Sequence, residues 1–272
     1  MSIDNNAADF IGSIPEHYDR SLGPIIFVDY AAEMARRTAA IHPARVLETA
    51  AGTGIVTRAL RDALPAATRV VATDLNPPML DIARAKFGAG EGVEFQPVDA
   101  LALPFADGSF DAVVCQFGIM FYPDRGKSYR EALRVLEPGG RYLFSTWDSH
   151  RYNPFARIGH EVSTSAFPAN PPPFYTVPFS CNQIDPIKED LLAAGFTGID
   201  ASVVTLEKTI PDAAAFARGL VYGNPLIDQI RARGGDPKPV FDTVVERLHR
   251  EFGADPGRMP LQALMFSARK PA

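Results

Sequence analysis

Three acidic residues each stand at the end of an apolar run in the first 100 residues. Glu48 ends "RVLE", Asp74 ends "RVVATD" and Asp99 ends "VEFQPVD". Because helical patterns separate these runs, they predict parallel strands whose carboxyl ends share one edge of a sheet, where doubly wound folds bind ligands. Carboxylates accept hydrogen bonds from ribose hydroxyls, exocyclic amines and cations, and they repel phosphate.

The loop after Glu48, "TAAGTG", is built from small residues. A dinucleotide fingerprint needs the spacing G-x-G-x-x-G. Counted from Gly52 the last glycine falls on Thr57, and counted from Ala50 it falls on Ile55, so neither frame is complete. The incomplete fingerprint and the carboxylate behind the loop disfavour a pyrophosphate. They favour an adenosine-type ligand that carries no phosphate.

Four segments, in order over residues 44–147, resemble class I S-adenosylmethionine-dependent methyltransferases, in the branch of ubiquinone/menaquinone-biosynthesis-type and other small-molecule enzymes. The segments are "VLETAAGTG", "ATDLNPPML", "DALALPFADGSFDAVVCQFGIMFYPD" and "ALRVLEPGGRYLF". The resemblance implies S-adenosyl-L-methionine as the cofactor. The chain departs from the family loop E/D-x-G-x-G-x-G at its first glycine, which is Ala50 here.

The resemblance also implies a set of cofactor contacts. Asp74 is expected to hold the ribose, Asp99 to meet the adenine edge, and Gly52 and Gly54 to lie against the methionine moiety. Tyr18, in the N-terminal segment, is expected to close over the cofactor. The full set is Tyr18, Glu48, Ala50, Gly52, Gly54, Asp74, Leu75, Met79, Asp99, Ala100, Gln116 and Phe117.

Strand and helix patterns alternate between residues 44 and 147, which predicts an α/β fold with a doubly wound, mostly parallel sheet. We expect seven strands, an antiparallel edge strand and a helical cap insertion. A helix is predicted over 22–40, and "EPGG" at 137–140 is expected to turn the chain. The chain is interpreted as one domain: a lead-in and helix (1–43), a cofactor-binding core (44–147), and cap or substrate elements (148–182 and 211–257).

Aromatic residues are concentrated after the fourth and fifth predicted strands. They predict a small, apolar or aromatic methyl acceptor. The segment after strand four reads "QFGI", which lacks the N-P-P-Y/F of enzymes that methylate nucleobase amines. The expected lining residues are Phe121, Tyr122, Phe155, Phe174, Tyr175, Phe179 and Tyr222.

No catalytic residue is assigned from the sequence. His17, His150 and His160 could approach the site, but solvated or packed histidines are the better interpretation of each. In-line methyl transfer needs mainly alignment, which contributes about 7–11 kcal/mol in favourable cases. A base is needed only if the acceptor must lose a proton.

Composition narrows the classes of partner. A net charge of −5 disfavours a nucleic-acid-binding protein, and two cysteines disfavour a disulfide framework or a structural zinc site. No run approaches the ~20 apolar residues of a membrane span. We therefore expect a cytoplasmic protein without a metal that acts on a small molecule, and we leave a homodimer open.

Two other functions remain as alternatives. One is a non-catalytic module that binds S-adenosylmethionine; the absence of an evident base and the alanine at position 50 favour it. The other is a nicotinamide-dependent oxidoreductase, since Asp74 and the glycine loop would serve that cofactor as well. Cofactor binding without turnover would favour the first, and tight NADH binding the second.

Overall fold

The computed structural model describes residues 7–272, so positions 1–6 of the predicted lead-in lie outside the described residues. The strands are β1 Arg45–Glu48, β2 Arg69–Asp74, β3 Val93–Pro97, β4 Phe110–Gln116, β5 Leu136–Trp147, β6 Thr197–Ile210 and β7 Gly257–Arg269. The α-helices are α1 Ile14–His17, α2 Val28–Ala39, α3 Ile55–Ala63, α4 Pro77–Arg84, α5 Arg125–Val135, α6 Pro154–Ala166, α7 Ile184–Ala194, α8 Ala213–Tyr222, α9 Leu226–Ala232 and α10 Pro237–Phe252. A π-helix spans Tyr18–Phe27, and 3₁₀ turns span Ile119–Phe121 and Phe174–Thr176.

The seven strands form one sheet in the order β3-β2-β1-β4-β5-β7-β6. β1 pairs in parallel with β2 and β4, β2 pairs with β3, and β4 pairs with β5. Antiparallel strands complete the sheet at one edge, so the predicted α/β fold class is confirmed. The strand order reverses between β1 and β4, which is the point where ligands bind in folds of this type.

The chain divides into two compact units. The sheet unit comprises Val28–Thr146, Cys181–Val204 and Ala263–Ala272, and the helical unit comprises residues 7–27, Trp147–Ser180 and Thr205–Gln262. Among the described residues, no helix has both the length and the apolar character needed to cross a bilayer. The division into lead-in, core and cap elements made from the sequence stays a prediction.

The core of the sheet unit forms because the strands are apolar on both faces. Val46 and Leu47 of β1 and Val113 and Val114 of β4 have no exposed surface.

At the amino end of the same strands, Asp111 accepts hydrogen bonds from the backbone N–H groups of Ala44 and Arg45 at 2.6 and 2.7 Å. Burial raises its pKa, but the Arg45 guanidinium and these donors outweigh burial and hold it below the usual value.

The helical unit contains a buried group of hydrogen-bonded polar side chains around Asn153. The Asn153 side-chain amide donates to the carbonyl oxygens of Asp148 and Gln262, both at 2.9 Å, and its oxygen accepts from the Gln262 N–H at 3.0 Å. Gln262 in turn donates to the Asp148 carboxylate at 2.6 Å. Asn153 is fully buried, and these partners satisfy it as buried amides require.

The helix predicted over 22–40 is present over residues 22–39, but its first part, up to Phe27, is a π-helix. The chain forms the π-helix from Tyr18 and changes to the α-helix α2 only at Val28. Pro24 lies inside the π-helix and has no N–H to donate to an α-helical ladder. Packing against α8 also constrains this segment, because a Cβ on Gly219 would lie only 2.6 Å from the Leu22 side chain.

The prediction that "EPGG" turns the chain is wrong. β5 begins at Leu136 and includes Pro138, Gly139 and Gly140. The pairing of β4 with β5 is irregular at this point, and Gly139 has a left-handed φ of +82°. The proline and glycines therefore form an irregular start of a strand, as in a β-bulge.

Gly219→Ala is expected to destabilise the protein. The new methyl group would meet Leu22 Cγ at 2.7 Å and Ser21 Cβ at 2.9 Å. This overpacking should cost about 1–3 kcal/mol, which exceeds the gain of up to ~1 kcal/mol in helix propensity. Thermal and urea midpoints measure the effect.

Gly126→Ala in α5 is the matched control. The nearest atom to its new methyl is the end of the flexible Arg130 side chain, at 3.3 Å. This variant should be neutral or stabilised. Equal losses in both variants would contradict the packing explanation.

Candidate functional site

The carboxyl edge of the sheet brings together the ends of β1, β2 and β4. Glu48 is paired with Ala72 of β2 and Val114 of β4, so it lies at the centre of this edge. Its side chain is 1% exposed, and Oε2 has no hydrogen-bond partner among the described residues. Burial raises the pKa of the Glu48 carboxyl to about 8, and the charge of Asp74 adds to the increase.

The loop after β1 has a left-handed backbone at every second residue from Ala50 to Gly54. Ala50, Gly52 and Gly54 have φ values of +52°, +56° and +79°. At Gly54 a Cβ would lie 2.8 Å from the Ala83 side chain, so α4 leaves no room for a larger residue. At Ala50 the conformation is strained, because an L-residue loses about 1–2 kcal/mol in this region. The single departure from the family loop is therefore at a position that favours glycine.

Asp74 fixes this loop from β2. Its Oδ2 accepts from the Gly52 N–H and its Oδ1 from the Asn76 N–H, both at 2.8 Å. The carboxyl group is buried, and burial raises its pKa although these hydrogen bonds oppose the increase. Oδ1 also accepts from the Asn76 side-chain amide at 3.4 Å, so Oδ2 is the oxygen better placed to accept from a ligand hydroxyl.

The neighbouring residues predicted to contact the cofactor lie around Asp74. Leu75 is 61% exposed, and Met79 is buried with Cε 3.4 Å from the position of a Cβ on Gly52. The Val98 N–H donates to the Asp74 carbonyl at 2.9 Å, which brings the start of the Asp99–Ala100 segment beside β2. Asp99 is exposed and accepts from the Leu101 N–H at 2.8 Å.

At the end of β4, Gln116 is half-buried and Phe117 is buried. Phe117 is a second non-glycine residue with a left-handed φ, at +52°. Its N–H donates to the Ser145 carbonyl at 3.1 Å, and its ring packs edge-on against Tyr30 with centroids 5.5 Å apart. Eleven of the twelve predicted cofactor residues thus belong to the sheet unit.

Tyr18, the remaining cofactor residue of the set, belongs to the helical unit. It starts the π-helix and lies between two aromatic rings, edge-on to Phe10 at 5.7 Å and stacked on Phe27 at 4.9 Å. Its predicted role over the cofactor stays a prediction.

The predicted acceptor residues are divided between the two units. Phe121 and Tyr122 belong to the sheet unit and are half-buried. In the helical unit Phe155 and Tyr175 are buried core residues, each 3% exposed, and the Tyr175 hydroxyl donates to the Leu220 carbonyl at 2.7 Å. The predicted residues of the helical unit are Phe155, Phe174, Tyr175, Phe179 and Tyr222. Their roles toward an acceptor stay predictions.

Sequence reasoning missed two residues of this edge, Thr49 and Gly118. The Tyr122 hydroxyl donates to Thr49 Oγ1 at 3.4 Å and lies 3.6 Å from Cys115 Sγ. Thr49 directly follows the strand-ending glutamate, which was the only signal available for it. Gly118 was not singled out because only the fold reveals that Ala50 and Cys115 crowd it. Cys115 is fully buried.

No residue in the described part of the chain emerges as a base. His150 Nε2 is 3.1 Å from the Tyr175 carbonyl, and burial lowers the pKa of this histidine. The His160 ring lies 5.4 Å from the His150 ring within the helical unit. The described residues contain no group of three or more metal-ligating side chains.

Comparison with known proteins is consistent with this geometry. Residues 47–144 match the family model of the methyltransferase domain. The chain is 48% identical over 117 residues to a demethylmenaquinone methyltransferase of Thermus thermophilus, covering 43% of this chain and 50% of that protein. It is 39% identical over 129 residues to a ubiquinone/menaquinone biosynthesis C-methyltransferase of Hahella chejuensis, covering 46% and 51%. The chain thus spans about half the length of the curated relatives it matches.

Solved structures share the fold. A putative methyltransferase from Bacillus halodurans has a TM-score of 0.56 at 22% identity, covering 90% of this chain and all of that one. The YcgJ protein of Bacillus subtilis has a TM-score of 0.59 at 20% identity, covering 90% and 99%. At these identities the likeness concerns the fold alone, and it extends well beyond residues 47–144.

Glu48→Gln is expected to remove a pH dependence of stability. The pKa of Glu48 is raised from 4.5 to about 8 in the fold, so the unfolded chain releases this proton at a lower pH than the folded chain. The wild type should therefore lose stability between about pH 4.5 and about pH 8, by up to about 1.4 kcal/mol per pH unit from this group. Urea titrations of ligand-free wild type and variant across this range measure the difference. Parallel pH profiles of the two proteins would contradict the assignment.

Proposed function

We propose that the chain transfers a methyl group from S-adenosylmethionine to a small, apolar or aromatic acceptor, because residues 47–144 match the family model of the methyltransferase domain. The observation that supports this most directly is the pair of buried carboxyl groups, Glu48 and Asp74, behind a loop of left-handed residues. Such a site suits a cationic ligand that carries hydroxyl groups and no phosphate.

The residues of the site fit this cofactor. Asp74 is held by two backbone N–H groups and keeps a lone pair on Oδ2 for a ribose hydroxyl. Glu48 has a buried oxygen without a hydrogen-bond partner among the described residues, which a cationic group nearby would stabilise in its ionised form. Gly52 and Gly54 allow close approach of a ligand to the backbone. Leu75, which is largely exposed, offers an apolar surface beside Asp74.

The bound cofactor supplies a methyl group on a sulfonium that is already activated for displacement. The task of the protein is then to align donor and acceptor and to exclude water. Rigid placement of the loop after β1 by Asp74 and by the β2 backbone serves alignment, since Ala51 also donates to the Thr73 carbonyl at 2.9 Å. We assign no general base, and an acceptor activated by its own hydroxyl group would need none.

For the acceptor we propose a small aromatic molecule. The relatives named above are quinone methyltransferases by name, but they match over about half of their length. The half-buried Phe121 and Tyr122 after β4 support an aromatic acceptor. A homodimer and a cytoplasmic location stay predictions from the sequence.

A non-catalytic module that binds the cofactor is the alternative to test. A panel of phenols, quinols and amines, assayed for conversion of S-adenosylmethionine to S-adenosylhomocysteine, separates the two. Turnover of an aromatic acceptor supports the enzyme. Tight cofactor binding without turnover on the whole panel favours the module.

Asp74→Ala is expected to weaken the binding of S-adenosylhomocysteine by about 10- to 100-fold, through the loss of about 1.5–3 kcal/mol in hydrogen bonds to a charged group. Isothermal titration calorimetry measures the two affinities. Asp81→Ala is the matched control, because Asp81 lies exposed on α4, where its ion pair with Arg84 spans 3.0 Å. The control should bind as the wild type does. A wild type that shows no binding at millimolar ligand would refute the proposed function.

A further inference from the structure

Two neighbouring strands are each followed by a residue with a strained backbone at the same edge of the sheet. β1 leads to Ala50 and β4 leads to Phe117, and both have a φ of +52°. The strands are paired, and the Thr49 N–H donates to the Val114 carbonyl at 2.9 Å, so the segments that follow them are neighbours. Residues held in this region at a cost persist only where their surroundings fix them.

Gly118 shows how closely the two segments pack. A Cβ on Gly118 would lie 2.6 Å from the Ala50 Cβ and 2.7 Å from Cys115 Sγ. Its φ of −104° is open to any residue, so lack of space, and not backbone conformation, makes glycine necessary here. Position 50 carries a methyl group where the family loop has glycine. Gly118, which follows the neighbouring strand β4, leaves the space for that methyl group.

Tyr122 makes the second link between the segments. After the 3₁₀ turn Ile119–Phe121, its hydroxyl reaches Thr49 Oγ1 at 3.4 Å and Cys115 Sγ at 3.6 Å. Burial raises the pKa of this hydroxyl well above 10, so it remains protonated and can donate. Thr49 is itself buried and directly precedes Ala50.

We propose that Tyr122 is a positioning residue that holds the cofactor loop in its strained form through Thr49, with Gly118 seated against Ala50. The segment 117–122, which we call the clasp, fixes the loop on its β4 side, as Asp74 does on its β2 side. This inference rests on the proposed function, since the loop is taken to bind S-adenosylmethionine. It makes the segment expected to meet the acceptor a determinant of cofactor affinity as well.

The test is a double-mutant cycle on Tyr122 and Thr49, read by calorimetry with S-adenosylhomocysteine. Tyr122→Phe keeps the ring and removes the hydroxyl, and Thr49→Val removes its partner at nearly constant volume. Each should weaken binding by about two- to tenfold, the usual net worth of one hydrogen bond. The double variant should lose no more than the larger single loss, because the residues act through one contact.

Additive losses, or wild-type affinity in Tyr122→Phe, would refute the clasp while leaving the proposed function intact. Failure of the wild type to bind would refute the proposed function instead. Tyr129→Phe is the matched control, because the Tyr129 hydroxyl is buried in the same unit without a hydrogen-bond partner among the described residues. It should bind the ligand as the wild type does.

A readout of the loop itself separates positioning from general stability. Tyr122→Phe should accelerate hydrogen exchange of the amides at 49–54 relative to the β1 and β2 amides, and Tyr129→Phe should not.

The Ala50–Gly118 contact is tested by calorimetry with S-adenosylhomocysteine: Gly118→Ala should lower cofactor affinity, and Ala50→Gly in that background should restore part of it. Full restoration is not expected, because Cys115 Sγ remains close. No restoration would show that Gly118 is not seated against Ala50.

Discussion

The candidate site depends on the pairing of one short strand. β1 has only four residues, yet it is hydrogen-bonded on one side to β2 and on the other to β4. Parallel pairing brings the carboxyl ends of all three strands to one edge, and the change in strand order at β1 opens a crevice there. Because β1 is buried, its last side chain is buried too, and Glu48 reaches the site as a carboxyl group whose pKa is raised by burial.

The strain at this edge follows from the same pairing. A chain that leaves a central strand and must enter a helix within a few residues has few backbone conformations to use. The loop from Thr49 to Gly54 uses three left-handed residues for this change of direction, and the fold retains them with hydrogen bonds from both neighbours. The N–H groups of Thr49, Ala51 and Gly52 donate to Val114, Thr73 and Asp74, so hydrogen bonds to both neighbouring strands offset the backbone energy of the left-handed residues.

Much of this could be predicted from the sequence, because the signals were local. Strand ends marked by Glu48, Asp74 and Asp99, and the small residues between them, depend only on a few neighbouring positions. The π-helix could not be predicted, since it depends on Pro24 and on packing against Gly219, which is nearly 200 positions away. The irregular start of β5 was missed because Pro138 and two glycines are typical of turns. Tyr122 was expected in the acceptor pocket because it is an aromatic residue that follows the fourth strand, whereas the direction of its hydroxyl depends on the pairing of β1 with β4.

The contact between Ala50 and Gly118 has a consequence for how this sequence can vary. A larger residue at position 118 is excluded while Ala50 and Cys115 occupy the space. Substitutions at these two positions are thus epistatic: glycine at 50 removes one of the two close contacts that oppose an increase in size at 118, and Cys115 Sγ supplies the other. Within the family, alanine in the loop should accordingly co-occur with glycine after the fourth strand, a correlation that a set of related sequences would reveal.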